Sequence, residues 1–517
     1  MTKGLHHITA ISSDPQKTYD FYTEILGLKL VKKTVNQDDT KTFHLFFGDN
    51  EGQPGMDLTF FPFQPATQGM HGTGMVNKIM LAVPMYTLDF WQKRIDKFKL
   101  NNKRENKNLN GDSYIEFEDW DGQVFQIVET DRINPDYKLF ETKEIQEDQA
   151  IRNFYGIEID VQIKDPTSMV LTDILEYKKI KEKDEISLFE NMNSTFANLI
   201  FLNSELNSRG INAAGTVHHV AFRVKDEKEQ LKIRNKVIHS EILPTPVIDR
   251  FYFKSVYFRE PGGVLFELAT EGPGFTADEH KSELGKNLSL PPFLEAEREL
   301  IEKNLVPINP STNVLEKSHM NSLFKFFEIN NKSEKTIVLL HGTGGDEYDL
   351  LSLFDEELFR NSNIISLRGN VIESGMYRFF RRFKFGEFDQ ENIKEEARKI
   401  KEFIEIYKKI NPKVSEIIFA GFSNGANMIL NVMILYPDLV KKAALLHPMI
   451  TLKHKFPEFK DSKIFVSYGI NDRMITFEES KKVISKLKGS GAEVIEFENG
   501  NGHGITEDEV EKLRYFI

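Results

Sequence analysis

The 517-residue sequence contains no cysteine. That absence removes disulfides, zinc-thiolate sites, iron-sulfur clusters and thiol nucleophiles together, so a metal must be held by His and carboxylates, and covalent catalysis must use Ser, Lys or Asp. Tryptophan is scarce, with 2 residues against 42 Phe. Basic charge is also short: 67 Lys and Arg against 79 Asp and Glu leave a net charge of -12. Such a surface does not neutralise phosphates, which excludes nucleic acid as the expected partner. No apolar run reaches the roughly 20 residues of a spanning helix, and the opening MTKGLHHITA lacks the apolar core of a signal peptide. A cytoplasmic protein without membrane contact is expected.

What is present is an ordinary globular composition, 40% hydrophobic and 28% charged, in a chain long enough for about three domains. The first half reads as short runs rich in Phe, Val and Ile between Gly, Pro and Asn turns, with helical stretches such as Pro15 to Leu26, an α+β pattern. It repeats. LHHITAIS from Leu5, VNKIMLAV from Val76, NFYGIEID from Asn153 and VHHVAFRV from Val217 align on their third residues, which puts His7, Lys78, Tyr155 and His219 in one slot. The unit ends align as well: DGQVFQIVET from Asp121 mirrors GGVLFELATE from Gly262, so Gln126 occupies the place of Glu267. Two double units are expected, 1–135 and 150–272. Pro273, Pro291, Pro292, Pro307 and Pro310, with one helix at Leu294 to Asn304, mark 273–322 as a linker. Over 323–517 buried strands, Gly-rich turns and helices alternate, which predicts an α/β domain with a mostly parallel, doubly wound sheet. The charge run from Lys178 to Glu185 reads as a solvated helix or loop face.

Two His and one carboxylate on separate strands leave coordination positions open, which suits a non-haem Fe(II) that must take an organic substrate and dioxygen together. His7, His219 and Glu267 form such a set; Lys78, Tyr155 and Gln126 cannot build a second. The set requires the first and fourth units to meet. Alternate strand residues face opposite ways, so only one His of each HH pair should enter the site. The competing reading makes these His residues ordinary strand positions with satisfied hydrogen bonds. His44 and His71 have no assigned role.

GLHHITAI, TVHHVAFR and DRFYFKSVYFREPGGVLFELATEGPGF resemble the vicinal oxygen chelate superfamily over residues 3–275, and within it the two-domain ring-cleaving dioxygenases that act on hydroquinones and related quinols. The resemblance implies paired βαβββ units and a divalent metal, Fe(II) or else Mn(II), held by His7, His219 and Glu267. It implies a small aromatic diol or quinol and dioxygen as substrates, and it places Tyr257 beside the bound substrate, where a phenol donates a proton or hydrogen bond. The alternatives are a glyoxalase-like isomerase, which uses four protein ligands where this sequence offers three, and a module that binds a quinone or drug without chemistry.

In the second half, Gly421 to Gly425 spell G-x-S-x-G between the apolar run EIIFA and the helical run ANMILNVMILY. Asp472 follows KIFVSYG and His503 lies in GNGHG after VIEFE, the chain order expected for a Ser423, Asp472, His503 triad. His503 then serves as base and acid, Asp472 fixes its tautomer, and Ser423 forms the acyl-enzyme. Backbone N–H groups of Thr343, in HGTGG, and Asn424 are the expected oxyanion hole. His447 in LLHPM is a rival base with a strand-end role as the plainer reading. Arg378, Arg381 and Arg382 read as surface or lid residues, with a clamp for a substrate carboxylate as the alternative. HGTGGDEYDL, RGNVIESGMYRFFRR, GFSNGANM, GINDRMI and GHGI resemble the phospholipase/carboxylesterase group of α/β-hydrolases. That implies hydrolysis of a small ester, lactone or thioester, or of a ring-cleavage product. The whole chain therefore reads as a bifunctional fusion of dioxygenase and serine esterase. Its oligomeric state is open.

Overall fold

The structure is a computed structural model that describes residues 1–517 except 135–137, 139, 141, 310, 311, 355–359 and 385. Residue 135, the expected end of the first double unit, and Pro310 lie outside the described residues. The chain divides into two compact units, Met1–Val314 and Leu315–Ile517. No helix among the described residues is long and apolar enough to cross a membrane.

The first unit contains four βαβββ repeats whose leading strands are Leu5–Ser12, Met75–Val83, Asn153–Asp160 and Thr216–Val224. Leu5–Ser12 and Asn153–Asp160 are buried at every position, because each lies inside an eight-stranded sheet with both faces covered. One sheet joins the first repeat to the fourth: Leu5–Ser12 runs antiparallel to Thr216–Val224, with Thr9 opposite His219. The other joins the second repeat to the third through Met75–Val83 and Asn153–Asp160. Each sheet therefore takes one repeat from either double unit, and 1–135 and 150–272 interleave within one body. Their inner apolar faces share a core in which Leu5, Tyr22, Phe60, Trp91, Phe125 and Phe222 are all buried.

The helix expected from Pro15 is capped by Asp14, whose side chain accepts from the Lys17 N–H, and has Pro at its start. It continues as a π turn over Phe21–Ile25, burying Phe21 and Tyr22. Two expectations need correction. The charged run after Tyr177 is an edge strand, Tyr177–Lys183, whose exposed Lys and Glu keep that edge in water. The 273–322 stretch is largely built into the first unit: Phe275, Leu284, Leu290, Leu294 and Ile301 are buried among its residues. Lys32 anchors it, with Nζ 2.7 Å from Asp278 and 4.7 Å from the Tyr252 ring centre. Apolar residues spaced between the prolines hold this segment down. The helix Val314–Leu323 then buries Met320 in the second unit.

The second unit is a seven-stranded sheet in the order Phe326–Ile329, Asn363–Leu367, Lys335–Leu340, Glu416–Phe422, Lys442–Leu446, Lys463–Gly469, Glu493–Asn499. Every pairing is parallel except the first. The helices Gln390–Ile410 and Asn424–Leu435 pack Ile393, Ile400, Phe403, Met428 and Val432 against it.

Candidate functional site

Three adjacent strands of the first sheet deliver one cluster: His7 from Leu5–Ser12, His219 from Thr216–Val224 and Glu267 from Leu265–Thr270. All three side chains are buried. His7 Nε2 and His219 Nε2 lie 3.2 and 3.0 Å from the same oxygen, Glu267 Oε2. The other carboxylate oxygen accepts from Ser255 Oγ at 2.5 Å.

Hydrogen bonds behind the cluster fix its tautomers. His6 Nε2 lies 3.1 Å from the Thr270 carbonyl, which only accepts, so this nitrogen carries a proton. Burial and the neighbouring His7 push the His6 pKa down to about 3, leaving its ring neutral with a lone pair on Nδ1. That lone pair receives His7 Nδ1–H across 2.9 Å, and His7 Nε2 is turned toward Glu267. His218 Nδ1 stands 2.7 Å from His219 Nδ1. Glu267 Oε2 has no hydrogen-bond donor although it is buried. Acceptors converging on a buried point without a proton between them are what a cation satisfies, and two imidazoles with a carboxylate fit a divalent transition metal. His7, His219 and Glu267 are thus brought together, with His6 behind them.

A cavity of about 310 Å³ opens beside the cluster, lined by His7, His219, Phe46, Phe61, Phe253, Arg250 and Tyr257 among others. Tyr257 stands opposite Glu267 in the sheet register, its ring edge-on to His219 with centroids 5.6 Å apart. Burial raises the phenol's pKa, so it keeps its proton as a donor. The guanidinium of Arg250 lies 5.6 Å from the Tyr257 ring centre and 3.0 Å from Asp38. His44 also lines the cavity, between Phe46 and Phe61, with Nε2 3.0 Å from Thr59 Oγ1. Thr59 Oγ1 donates to Thr9 Oγ1 at 2.8 Å, and Thr9 Oγ1 lies 3.0 Å from His219 Nε2. Sequence reasoning missed Arg250 and Phe253, although both fall in the quoted DRFYFKS segment. His71 is elsewhere, held by Asn77 and the Gly122 carbonyl.

The corresponding place in the second sheet holds an ammonium. Lys78 Nζ lies 3.3 Å from Glu116 and 3.2 Å from Glu158, and Gln126 donates to Glu116 at 2.8 Å. Glu158 stands opposite Lys78 in the strand pairing, whereas Tyr155 bonds to Asp112, Asn108 and Asn110. Both sheets shift register at equivalent points, and Gly156 faces Met80 as His219 faces Thr9, so the third run lies one residue out of step with the alignment that put Tyr155 in the slot.

In the second unit Ser423 sits between strand and helix at φ 50°, a conformation that a β-carbon disfavours and that only a tight turn enforces. Gly425 makes the turn possible, since a β-carbon there would stand 2.0 Å from the Leu340 carbonyl oxygen. Ser423 Oγ lies 2.9 Å from His503 Nε2, and His503 Nδ1 lies 2.7 Å from Asp472 Oδ2. Burial opposes charge on Asp472, but the N–H groups of Ile475 and Met474 and the two imidazoles beside it hold its pKa below the usual value. Asn424 is the first helical residue, so its N–H is among those a helix leaves unpaired, and its Oδ1 accepts from Phe379 N–H at 2.7 Å. Arg378 is buried, contrary to a surface role, and donates to Thr343 Oγ1 at 2.8 Å, tying down the loop that carries Thr343. Arg381 and Arg382 pair with Asp389 and Glu373. His341 shapes the same loop, accepting from Gly369 N–H at 3.0 Å.

Fold and donor sets define the class: paired βαβββ sheets of the vicinal oxygen chelate type, followed by an α/β-hydrolase. Residues 4–127 match the glyoxalase/bleomycin resistance protein/dioxygenase superfamily, and residues 324–517 match the phospholipase/carboxylesterase family. "Putative ring-cleaving dioxygenase MhqE" of Bacillus subtilis is 40% identical over 300 residues, 58% of this chain and 97% of the relative. "Putative hydrolase MhqD" of the same organism is 35% identical over 184 residues, 35% of this chain and 92% of the relative. "Chlorohydroquinone/hydroquinone 1,2-dioxygenase" of Sphingobium indicum is 30% identical over 302 residues, 57% of this chain and 92% of the relative. The chain belongs to the ring-cleaving dioxygenases of the glyoxalase superfamily through its first part and to the carboxylesterase-type hydrolases through its second. It is a bifunctional fusion of the two, and the isomerase and drug-binding alternatives are not favoured.

Proposed function

We propose that the first part is an Fe(II)-dependent dioxygenase that opens the ring of a hydroquinone- or catechol-type substrate, and that the second part is a serine esterase acting on a small ester, lactone or thioester. The observation that carries the first reading is Glu267 Oε2, buried without a hydrogen-bond donor while His7 Nε2 and His219 Nε2 converge on it at 3.2 and 3.0 Å. His7, His219 and Glu267 would hold the metal. When bound, Fe(II) supplies the redox-active centre at which quinol and dioxygen meet, and the same donors accept Mn(II). Phe46, Phe61 and Phe253 offer faces for a flat aromatic ring in the cavity. Tyr257 keeps a proton to give to a substrate oxygen. The hydroquinone relative supports the substrate class.

In the hydrolase, His503 takes the proton of Ser423 as the oxygen attacks the acyl carbon and returns it to the leaving group. Asp472 holds the His503 tautomer. The N–H groups of Asn424 and Thr343 receive the developing oxyanion, and loss of one such donor costs about a hundredfold or more. We place the two activities in the double units 1–135 and 150–272 and in 323–517.

Full-length protein loaded with Fe(II) without oxygen is expected to consume oxygen when given hydroquinone, and His219→Ala to abolish the uptake. A ligand-induced rise in melting temperature with no oxygen consumption would leave a binding module in its place. For the second part, p-nitrophenyl acetate turnover should fall at least about a thousandfold in Ser423→Ala. Undiminished turnover would sink the serine mechanism.

A further inference from the structure

Besides His341, the second unit buries another imidazole that a triad does not require. His447 follows the Lys442–Leu446 strand, is 0% exposed, and is held at φ 52° with its N–H on the Ser467 carbonyl at 3.0 Å. A left-handed backbone is uncommon for a residue with a β-carbon, histidine being among those that adopt it more readily. Here it aims the ring between two carboxylates. His447 Nδ1 lies 3.1 Å from Asp472 Oδ2, and Nε2 lies 3.6 Å from Glu509 Oε2. Glu509 is itself 0% exposed, on the helix Glu507–Phe516, where it accepts from Ser467 Oγ and from Asn499 Nδ2.

The ionisable groups facing His447 among the described residues are Asp472, from the loop after Lys463–Gly469, Glu509 from the last helix, and His503 from the loop after Glu493–Asn499. The His503 ring lies 5.3 Å away, and Phe422 covers another side at 5.7 Å. Asp472 Oδ2 faces Nδ1 of both histidines, at 2.7 Å for His503 and 3.1 Å for His447. An ionised carboxylate only accepts, so both Nδ1 atoms carry hydrogen. His447 Nε2 then has two options. Either it points a lone pair at a buried carboxylate, which is costly without water, or it carries a second proton and is attracted by both acids. Burial works against that proton, yet Glu509 and Asp472 together hold the His447 pKa above the ordinary histidine value.

We propose that His447 is a positioning residue of the hydrolase, a buried imidazolium clamped between Asp472 and Glu509 that holds the Asp472 carboxylate toward His503. This rests on the reading of Ser423, His503 and Asp472 as a triad. The charge also bears on the reaction, because a positive ring beside His503 opposes a second positive charge forming there. Ester turnover should therefore persist to lower pH than in a protein lacking that charge.

The test is the pH profile of kcat/KM for p-nitrophenyl acetate, full-length protein against His447→Gln, which keeps an N–H for Asp472 but no charge. The acid limb is expected to move up by about one pH unit, a roughly tenfold loss at low pH. Superimposable acid limbs would overturn the proposal. Should the variant fail to fold, nitrogen-15 spectra of histidine-labelled unmodified protein decide: one ring is expected to keep both protons to higher pH than the ordinary rings, which lose theirs first as pH rises. Absence of any such ring contradicts the clamp. The spectrum does not depend on turnover, so retention of activity in Ser423→Ala, which defeats the triad, is distinguishable from failure of the clamp.

Discussion

The metal-ligating character of His7 is set one residue away. His6 gives its only ring proton to the Thr270 carbonyl, and this obliges His7 to donate from Nδ1 and to face Glu267 with Nε2. Ligand orientation by a hydrogen bond on the other ring nitrogen is the usual way proteins prepare a metal-binding imidazole. Here the partner is a neutral histidine instead of a carboxylate. His6→Phe keeps all three ligands and a similar volume while leaving His7 Nδ1–H buried without an acceptor. Affinity for Fe(II) or Mn(II), measured by titration of the metal-free protein, is expected to fall about 10- to 100-fold. Unchanged affinity would mean that the ring orientation is set by packing against Phe253 alone, whose centroid lies 5.1 Å from that of His7.

At the scale of elements, the hydrolase turn and the metal strands differ in how much of their arrangement is local. The turn from Glu416–Phe422 into Asn424–Leu435 needs Ser423 at positive φ and no side chain at position 425. Gly425→Ala forces a methyl group against the Leu340 carbonyl, so loss of at least about 3 kcal/mol of stability is expected, together with esterase activity. A melting temperature within a degree of the parent would contradict this close approach. Such local demands are legible in sequence, which is why GFSNG between an apolar strand and a helical run locates the turn. Period-two alternation sends neighbouring residues to opposite faces, but His218 lines the cavity beside His219, and a register shift between Leu5 and Ile8 lets the rings of His6 and His7 meet, so the expectation of one His per pair in the site does not hold for the fourth repeat. Pairing between distant repeats leaves no such trace. That the first repeat joins the fourth, and the second the third, depends on packing two sheets over one core. Glu158 and not Tyr155 stands beside Lys78 because the third run pairs one residue out of step with the alignment, Gly156 facing Met80 where His219 faces Thr9, and no residue type announces that offset. Prolines in 273–322 suggested a free linker, yet Phe275, Leu290 and Ile301 between them carry enough apolar surface to be drawn into the first unit. Arg378 read as exposed because arginines seldom lie buried, but Thr343 and Glu373 supply its partners.

For the whole molecule, the absence of cysteine removes thiolate ligands and thiol nucleophiles, and the proposed sites rest on His and Glu as ligands and on Ser423 as nucleophile. A ring-cleaving dioxygenase and a carboxylesterase-type hydrolase share one chain. The central claim is that the first site inserts both atoms of dioxygen into a quinol instead of merely oxidising it to a quinone. Quinol oxidation releases one hydrogen peroxide for each dioxygen consumed, and catalase returns half of that oxygen; ring cleavage retains both atoms in the product. The decisive measurement is oxygen uptake by Fe(II)-loaded full-length protein with a limiting amount of hydroquinone, followed by catalase. The account predicts one dioxygen per hydroquinone and no oxygen returned. Return of half the consumed oxygen would contradict it.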